Sequence, residues 1–226
     1  MTPTALLIKI IAILSLYLAI SLQAATPIFC PPKGWKPVSS PSPKIASSFL
    51  LKTKKNFSPS LNFTIEEFSG TAEQYLSSLE KLYTNHSDHR FRRLGLLQTK
   101  TGNAHLTSLD MSTPAGKIRI LQSILFKDEK VYILTGALAI EDFGSYQEEL
   151  IKTFSSITFI DQLEQYIQSD KKKEIFAQKA SLVLSKKEIS SFIKFLEKEF
   201  CQEGSYWQSL AVEELVKKVE PNLTGK

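Results

Sequence analysis

The sequence predicts an α+β protein, with a central antiparallel sheet in its first two thirds and an all-helical extension at its C-terminus. Two pairs of strand-like segments meet at short turns, 99–102 and 128–129, and strands joined by such turns pair antiparallel. Two further segments carry apolar residues at helical spacing. After residue 160 nearly every periodic segment is helical, which separates an extension, 161–226, from a strand-rich domain, 44–160.

The strand-rich domain begins with residues 61–66, where apolar and polar side chains alternate as in a half-buried strand. The capping-box sequence Thr71-Ala72-Glu73-Gln74 then opens a first helix. Two hairpins follow, made of the segment pairs 90–98 with 103–111 and 117–127 with 130–140.

The last of these strands is apolar at successive positions from 131 to 140, which predicts a central strand covered on both faces of the sheet. A second capping box, Ser145-Tyr146-Gln147-Glu148, opens another helix, and residues 156–160 form a short closing strand. In the extension, a third capping box at 185–188 precedes a helix, and Pro221 ends the last helix.

The composition describes a globular chain rather than a disordered or fibrous one. Of 226 residues, 42% are hydrophobic and 23% are charged, which is enough apolar material for a buried core. Two cysteines exclude a disulfide-rich scaffold, and three histidines leave little material for a metal centre. The sequence has no G-x-S-x-G, H-E-x-x-H, P-loop or C-x-x-C motif, so neither an enzyme activity nor a cofactor is predicted.

The first 25 residues have the pattern of a secretory signal peptide. Lys9 is followed by an apolar run, 10–22, and then by small residues around Ala24. Cleavage there would release a periplasmic or secreted protein. The alternative is an uncleaved inner-membrane anchor, because residues 5–22 come close to the roughly 20 apolar residues that span a bilayer.

A proline-rich lead-in, 26–43, follows the signal and is expected to be extended, with Trp35 as an anchor. Export to an oxidising compartment would let Cys30 and Cys201 pair. Such a disulfide would close a very long loop and stabilise the fold by about 4–5 kcal/mol in the chain-entropy model. Two unpaired thiols are the alternative.

Short stretches from the lead-in to the closing strand occur in the order found in a known fold. They are Gly34-Trp35, Asn62-Phe63-Thr64-Ile65-Glu66, Thr71-Ala72-Glu73-Gln74-Tyr75-Leu76, Thr101-Gly102-Asn103-Ala104, Lys130-Val131-Tyr132-Ile133-Leu134-Thr135 and Phe154-Ser155-Ser156-Ile157-Thr158-Phe159. In this order, 33–160 resembles the PsbP-like fold, which includes a photosystem II accessory protein, a Ran-binding import factor and DcrB-like exported bacterial proteins. The resemblance implies an antiparallel sheet sandwiched by helices and a binding or assembly role without catalysis. It leaves the helical extension uncovered.

The densest polar cluster contains His86, Asp88 and His89, which are weak candidates for metal ligands. The third histidine, His105, is expected opposite Leu96, about seven residues along the strand from His89, or roughly 23 Å. Arginines next to the cluster would also repel a cation. A solvated loop is therefore favoured, and no metal is predicted.

Two basic groups are candidate partner contacts. They are Lys52, Lys54 and Lys55, and Arg90, Arg92 and Arg93. The expected partner is an envelope protein or an anionic membrane surface. Nucleic acid is not expected, because the net charge of +5 is small and no binding motif occurs. No small-molecule substrate is inferred.

These observations predict an exported, non-enzymatic envelope protein that acts as a protein-binding or assembly module. One alternative is a secreted hydrolase whose site is assembled from scattered residues such as His105, Ser108 and Asp110. The other is a secretion chaperone, which would remain in the cytosol.

Overall fold

A computed structural model describes residues 25–40, 42–186, 189–201 and 203–219. The predicted signal segment and the helix stop at Pro221 lie outside the described residues, apart from Ala25. The side chains of the capping box predicted at 185–188 are likewise outside them.

The described part of the chain contains nine strands and five α-helices. In chain order these are β1 (Thr26–Ile28), β2 (Lys36–Val38), β3 (Ile45–Leu50), β4 (Ser60–Glu67), α1 (Ala72–Thr84), β5 (Arg90–Thr99), β6 (Gly102–Thr113), β7 (Gly116–Lys127), β8 (Lys130–Ala139), α2 (Phe143–Ser155), β9 (Thr158–Ile160), α3 (Asp170–Lys186), α4 (Ile189–Glu199) and α5 (Ser205–Val219). Short 3₁₀ turns, Ile140–Asp142 and Leu163–Tyr166, precede α2 and α3.

Seven strands form one antiparallel sheet in the order β2-β3-β4-β8-β7-β6-β5. Both predicted hairpins are present. The turn between β7 and β8 consists of Asp128 and Glu129, whose φ angles of 52° and 56° match the right-handed twist of the flanking strands. The α+β fold class is therefore confirmed.

Helices cover both faces of this sheet, as the apolar strand 131–140 indicated. On one face Leu76 of α1 packs among Ile124, Val131 and Ile133. On the other face Leu150 of α2 lies so close to Gly136 that a Cβ at that glycine would be 2.6 Å from the leucine. The central strand β8 is accordingly buried over most of its length.

The helical extension packs on the α2 face and shares its core. Tyr206 of α5 stacks on Phe29 of the lead-in, with ring centroids 4.4 Å apart, and contacts Phe63 of β4 edge to face. Within the extension, Trp207 is fully buried and donates a hydrogen bond from Nε1 to the carbonyl of Leu163 at 2.9 Å. Sheet, lead-in and extension therefore form one continuous apolar core.

The lead-in is more structured than an extended segment. It contains β1 and β2, and Trp35 is 3% exposed, so this side chain is an anchor as expected. The closing strand β9 pairs with β1 in a separate two-stranded sheet. The end of the strand-rich domain is thus tied to its beginning.

The predicted start of the second long helix is wrong by three residues. The helix α2 begins at Phe143 instead of at the capping box Ser145–Glu148, and Asp142 is its N-cap without a side-chain cap hydrogen bond. The chain leaves β8 directly into the 3₁₀ turn Ile140–Asp142, which continues into the helix. Ser145 already lies inside the first turn, where its hydroxyl cannot act as a cap.

Candidate functional site

The strands β5, β6 and β7 bring polar side chains together on the α2 face of the sheet. Side chains alternate between the faces of a strand, so Ser108 and Asp110 of β6 share one face. Ser108 pairs with Arg92 of β5 and Leu121 of β7, and Asp110 pairs with Arg119 of β7. The register of two hairpins therefore places two arginines around one carboxylate.

Asp110 bridges the two arginines. Arg119 donates from Nε and Nη2 to the two carboxylate oxygens, the second at 2.8 Å. Arg92 donates from Nη2 to Asp110 at 2.7 Å and from Nε to the Ser108 hydroxyl at 3.1 Å. The side chain of Asp110 is 17% exposed, against 26% for Arg119 and 35% for Arg92. The cluster is thus half-buried and open on its arginine side.

Hydrogen bonds from Arg119 and Arg92 hold the pKa of Asp110 below its usual range, against the opposing effect of burial. The carboxylate in turn raises the pKa of Arg119. Asp110 and Arg119 are therefore charged at neutral pH, and two guanidiniums face one carboxylate. The cluster carries one surplus positive charge.

A cleft of about 360 Å³ adjoins this cluster, between the sheet and α2. We call it the arginine cleft. Its apolar wall consists of Leu94, Leu106, Leu121, Phe143 and Ile151. Arg119 lies over the ring of Phe143, 4.7 Å from its centroid, in a cation–π contact that also fixes the guanidinium.

The two predicted basic groups lie at the same end of the sheet. The loop with Lys52, Lys54 and Lys55 joins the end of β3 to the start of β4, and Arg90 begins β5. In the sheet, β4 is four strand spacings from β5, or roughly 20 Å at about 4.8 Å per spacing. Two further basic residues, Lys117 and Arg119, lie between the groups on β7. We call this surface the basic end.

The members of the basic groups differ in their partners. Lys52, Lys54 and Arg90 are exposed. Lys55 is paired with Asp142, and that carboxylate raises the pKa of the lysine. Arg92 belongs to the Asp110 cluster.

Arg93 lies on the opposite face of β5 from Arg92. It forms ion pairs with Glu73 and Glu80 of α1 at 2.8 and 2.9 Å. This arginine therefore fastens α1 to the edge strand of the sheet.

The histidine cluster lies in the connection between α1 and β5. The rings of His86 and His89 are 4.6 Å apart, and Asp88 approaches His89 Nε2 at 4.0 Å. His105 is paired with Leu96 of β5, as expected. Across the described residues, no group of three or more histidine, cysteine, aspartate or glutamate side chains is arranged to hold a metal ion.

The residues suggested for a hydrolase do not converge. Ser108 and Asp110 lie on the α2 face of β6, whereas His105 lies on the α1 face, where its ring packs edge to face against Phe126 at 5.9 Å. The Ser108 hydroxyl accepts a hydrogen bond from Arg92, and His105, on the other face, is not placed to accept the proton of that hydroxyl. A triad of these three residues would require a side chain to pass through the sheet, so that assignment is wrong.

Both cysteines are free thiols in the structure. The Sγ atom of Cys30 is 2.7 Å from the hydroxyl of Tyr166, and its backbone N–H donates to Ser156 Oγ at 2.8 Å. Cys201 is exposed at the end of α4.

Sequence reasoning missed Arg119, Phe143 and the other walls of the arginine cleft. The arginine was detectable, because counting back from a turn at 113–116 places Arg119 opposite Asp110. The walls were not detectable, because Phe143 and Ile151 reach the sheet only through the packing of α2.

No protein-family model and no curated protein matches the sequence. Among the described residues, no helix is long and apolar enough to cross a membrane.

Several solved structures are similar in fold. LpqN of Mycobacterium tuberculosis, which is involved in cell envelope biogenesis, is 10% identical over 61% of this chain and 86% of its own, with a TM-score of 0.47. The cyanobacterial PsbP of Synechocystis sp. PCC 6803 is 15% identical over 62% of this chain and 95% of its own, with a TM-score of 0.40. The Ran-binding protein Mog1p of Saccharomyces cerevisiae is 7% identical over 58% of this chain and 89% of its own, with a TM-score of 0.36. A PsbP structure is thus among the matches, as the sequence resemblance predicted, and the similarity is one of fold alone.

Proposed function

We propose that this chain is an exported, non-enzymatic binding module of the cell envelope, which contacts a protein partner through the basic end of its sheet. The observation that carries the proposal is the convergence at one end of Lys52, Lys54, Arg90 and Lys117, all of them exposed. Basic residues far apart in the sequence lie on this one surface because β3 ends there and β4, β5 and β7 begin there.

The positions of Ser108, Asp110 and His105, all within the described part of the chain, support a binding role. The hydroxyl and carboxylate on β6 lie on one face, and the only histidine of that strand lies on the other. The half-buried cluster around Asp110 is an arginine–carboxylate network and not a nucleophile–base pair.

The charge pattern of the basic end favours a protein over a bilayer. Glu141 and Asp142 lie beside the lysine loop, and Lys55 is paired with one of them. A surface with both basic and acidic residues favours a partner whose charges are complementary to it. A uniformly negative membrane binds most strongly to a surface that is basic throughout. An acidic face on a protein partner is the complementary surface.

Site-specific photo-crosslinking in the native cell tests this proposal. A photoreactive amino acid at position 54, in the basic end, should give a discrete adduct with one protein. The same amino acid at position 128, in the β7–β8 turn at the opposite end of the sheet, is the matched control. Adding Lys52→Glu and Arg90→Glu should abolish the adduct at 54. Equal adducts at both positions, or an adduct at 54 that survives both reversals, contradicts the proposal.

Two further measurements separate the alternatives. Sedimentation with vesicles of phosphatidylglycerol, compared with phosphatidylcholine, tests an anionic bilayer; binding there with no protein adduct would replace the protein partner by the membrane. N-terminal sequencing of the mature protein tests export. A native chain that begins at Ala25 or Thr26 excludes a cytosolic secretion chaperone, and one that begins at Met1 argues against cleavage.

A further inference from the structure

We propose that the arginine cleft binds a small single-chain amphiphile, with an anionic carboxylate or phosphate head at Arg92 and Arg119 and an alkyl chain along the apolar wall. This site shares Arg92 and Arg119 with the basic end, but its ligand and its test are independent of the proposed protein contact. The two guanidiniums, the shape of the cleft and the chemistry of its walls each restrict the ligand.

The head group is set by the unbalanced charge of the cluster. Asp110 neutralises one of two guanidiniums, so one positive charge remains for a ligand. The hydrogen bonds to Ser108 and Asp110 come from the Nε and Nη2 atoms of the two arginines. Within the described part of the chain, neither arginine uses its Nη1 atom in these hydrogen bonds. An anionic head group offsets this charge and accepts charge-assisted hydrogen bonds from both arginines.

The apolar wall of the cleft determines which tail the ligand can have. Five apolar side chains line the cleft, and its volume of about 360 Å³ is at the small end of the range for ligand sites. A cleft of this size accommodates one medium-length alkyl chain and is too small for a two-chain phospholipid. Each methylene that leaves water along this wall tightens binding by up to about fourfold.

A peptide fits the cleft less well than an alkyl chain. Every peptide unit carries an N–H and a C=O that must keep hydrogen-bond partners when buried. Away from the arginines, the cleft offers Gln147 and the Ser108 hydroxyl, and the latter is already bonded to Arg92. An acyl chain has no such groups to satisfy.

Titration of the full chain followed by amide NMR tests the proposal. The probes are octanoate, decanoate and decyl phosphate, each below its critical micelle concentration, with decyl maltoside and decyltrimethylammonium as uncharged and cationic controls. We expect saturable shifts at amides around Leu94, Leu106 and Leu121 with an anionic probe, and none with the controls. Decanoate should bind up to about fifteenfold more tightly than octanoate, because it has two more methylene groups.

The two head groups distinguish the source of the ligand. Preference for decanoate points to a free fatty acid, and preference for decyl phosphate points to a phosphate-headed lipid. Three results would overturn the proposal. They are equal binding of decyl maltoside, saturation by an acidic peptide instead of the alkyl probes, and no saturable shift with any of the anionic probes.

Two pairs of variants locate the site. Arg119→Gln should weaken decanoate binding by about tenfold or more, because it removes a charge-assisted contact. Lys100→Gln removes one positive charge from the exposed turn at the other end of β5, outside both the cleft and the basic end, and should leave binding unchanged. Unchanged binding in Arg119→Gln contradicts the assigned head-group position.

The second pair does not depend on the ion cluster. Leu94→Glu places a negative charge in the wall at a residue that is 49% exposed, so the fold is retained and binding should fall by at least tenfold. Leu96→Glu is the control, because Leu96 is 61% exposed, is paired with His105 and lies outside the cleft. This variant should bind decanoate normally. If both variants lost decanoate binding equally, or if neither lost it, this apolar wall would not be the binding site of the alkyl chain.

Discussion

Tyr206 of α5 stacks on Phe29 of the lead-in, with ring centroids 4.4 Å apart and ring planes inclined by 26°. The tyrosine also contacts Phe49 and Phe63 edge to face. One side chain of the extension is therefore a central member of the aromatic core of the strand-rich domain. The extension is a structural part of this fold and not an independent appendage.

Replacing Tyr206 by alanine should cost about 3–5 kcal/mol of unfolding free energy, the range for truncating a large buried aromatic side chain. Denaturant unfolding followed by circular dichroism measures this cost. Ile193→Ala, at a residue of α4 that is 40% exposed, is the control and should cost far less. Equal losses would show that α5 does not contribute to the core of the sheet.

The two thiols should react at different rates with an aromatic disulfide reagent. Cys201 is exposed, whereas Cys30 is half-buried and lies against the hydroxyl of Tyr166, whose pKa is raised by burial so that it stays protonated. We expect one fast and one slow thiol, and Cys201→Ser should remove the fast phase. Native protein with no reactive thiol before reduction would instead support the disulfide.

The hairpins were predictable because their information is local. The turn residues 99–102 and 128–129 and the alternating strands around them fix the register without reference to the rest of the chain. The start of α2 was mispredicted, because its position depends on the 3₁₀ turn Ile140–Asp142 that leaves β8. The arginine cleft was missed for the same reason, since Phe143 contributes to it only once α2 is packed.

The two capping boxes named on the sheet domain should behave differently on mutation. Gln74 N–H donates to Thr71 Oγ1 at 3.2 Å and Thr71 N–H donates to Gln74 Oε1 at 2.8 Å, so this box is formed. Thr71→Ala should therefore cost about 1 kcal/mol of unfolding free energy. Ser145→Ala should cost nothing measurable in the same denaturant unfolding experiment, because Ser145 caps no helix. A comparable loss in both variants would contradict the observed start of α2.

Gly136 is needed for the approach of α2 to β8. A Cβ at this position would lie 2.6 Å from a methyl group of Leu150, which is fully buried and cannot move away freely. Gly136→Ala should cost about 1–3 kcal/mol of unfolding free energy. Combining it with Leu150→Ala should cost less than the sum of the single changes.

The matched control for this change is Gly144→Ala. A Cβ at Gly144, in the first turn of α2, would meet nothing within 4 Å. Alanine should stabilise the helix there by up to about 1 kcal/mol. If the losses of unfolding free energy for Gly136→Ala and Leu150→Ala added up exactly in thermal and denaturant unfolding, the two residues would not be in contact.

The ion cluster makes stability depend on pH in a defined direction. The bonds from Arg119 and Arg92 lower the pKa of Asp110 in the folded state, so the unfolded chain binds a proton more readily than the folded one. The stabilisation is complete above the unfolded pKa of about 3.9 and is lost as the pH falls through the lower, folded value. Asp110→Asn should cost about 1.5–3 kcal/mol at pH 7, the range for hydrogen bonds to charged groups.

The difference in unfolding free energy between the wild-type protein and Asp110→Asn should therefore shrink once the pH falls below about 4. Urea unfolding across the range from about pH 7 to about pH 3 measures it. Glu148→Gln, which removes an exposed ion pair with Lys152, should leave stability unchanged at every pH. If the Asp110→Asn difference stayed constant down to the lowest pH, the carboxylate would owe none of its stabilising effect to its charge, and the surplus-charge argument for the arginine cleft would lose its basis.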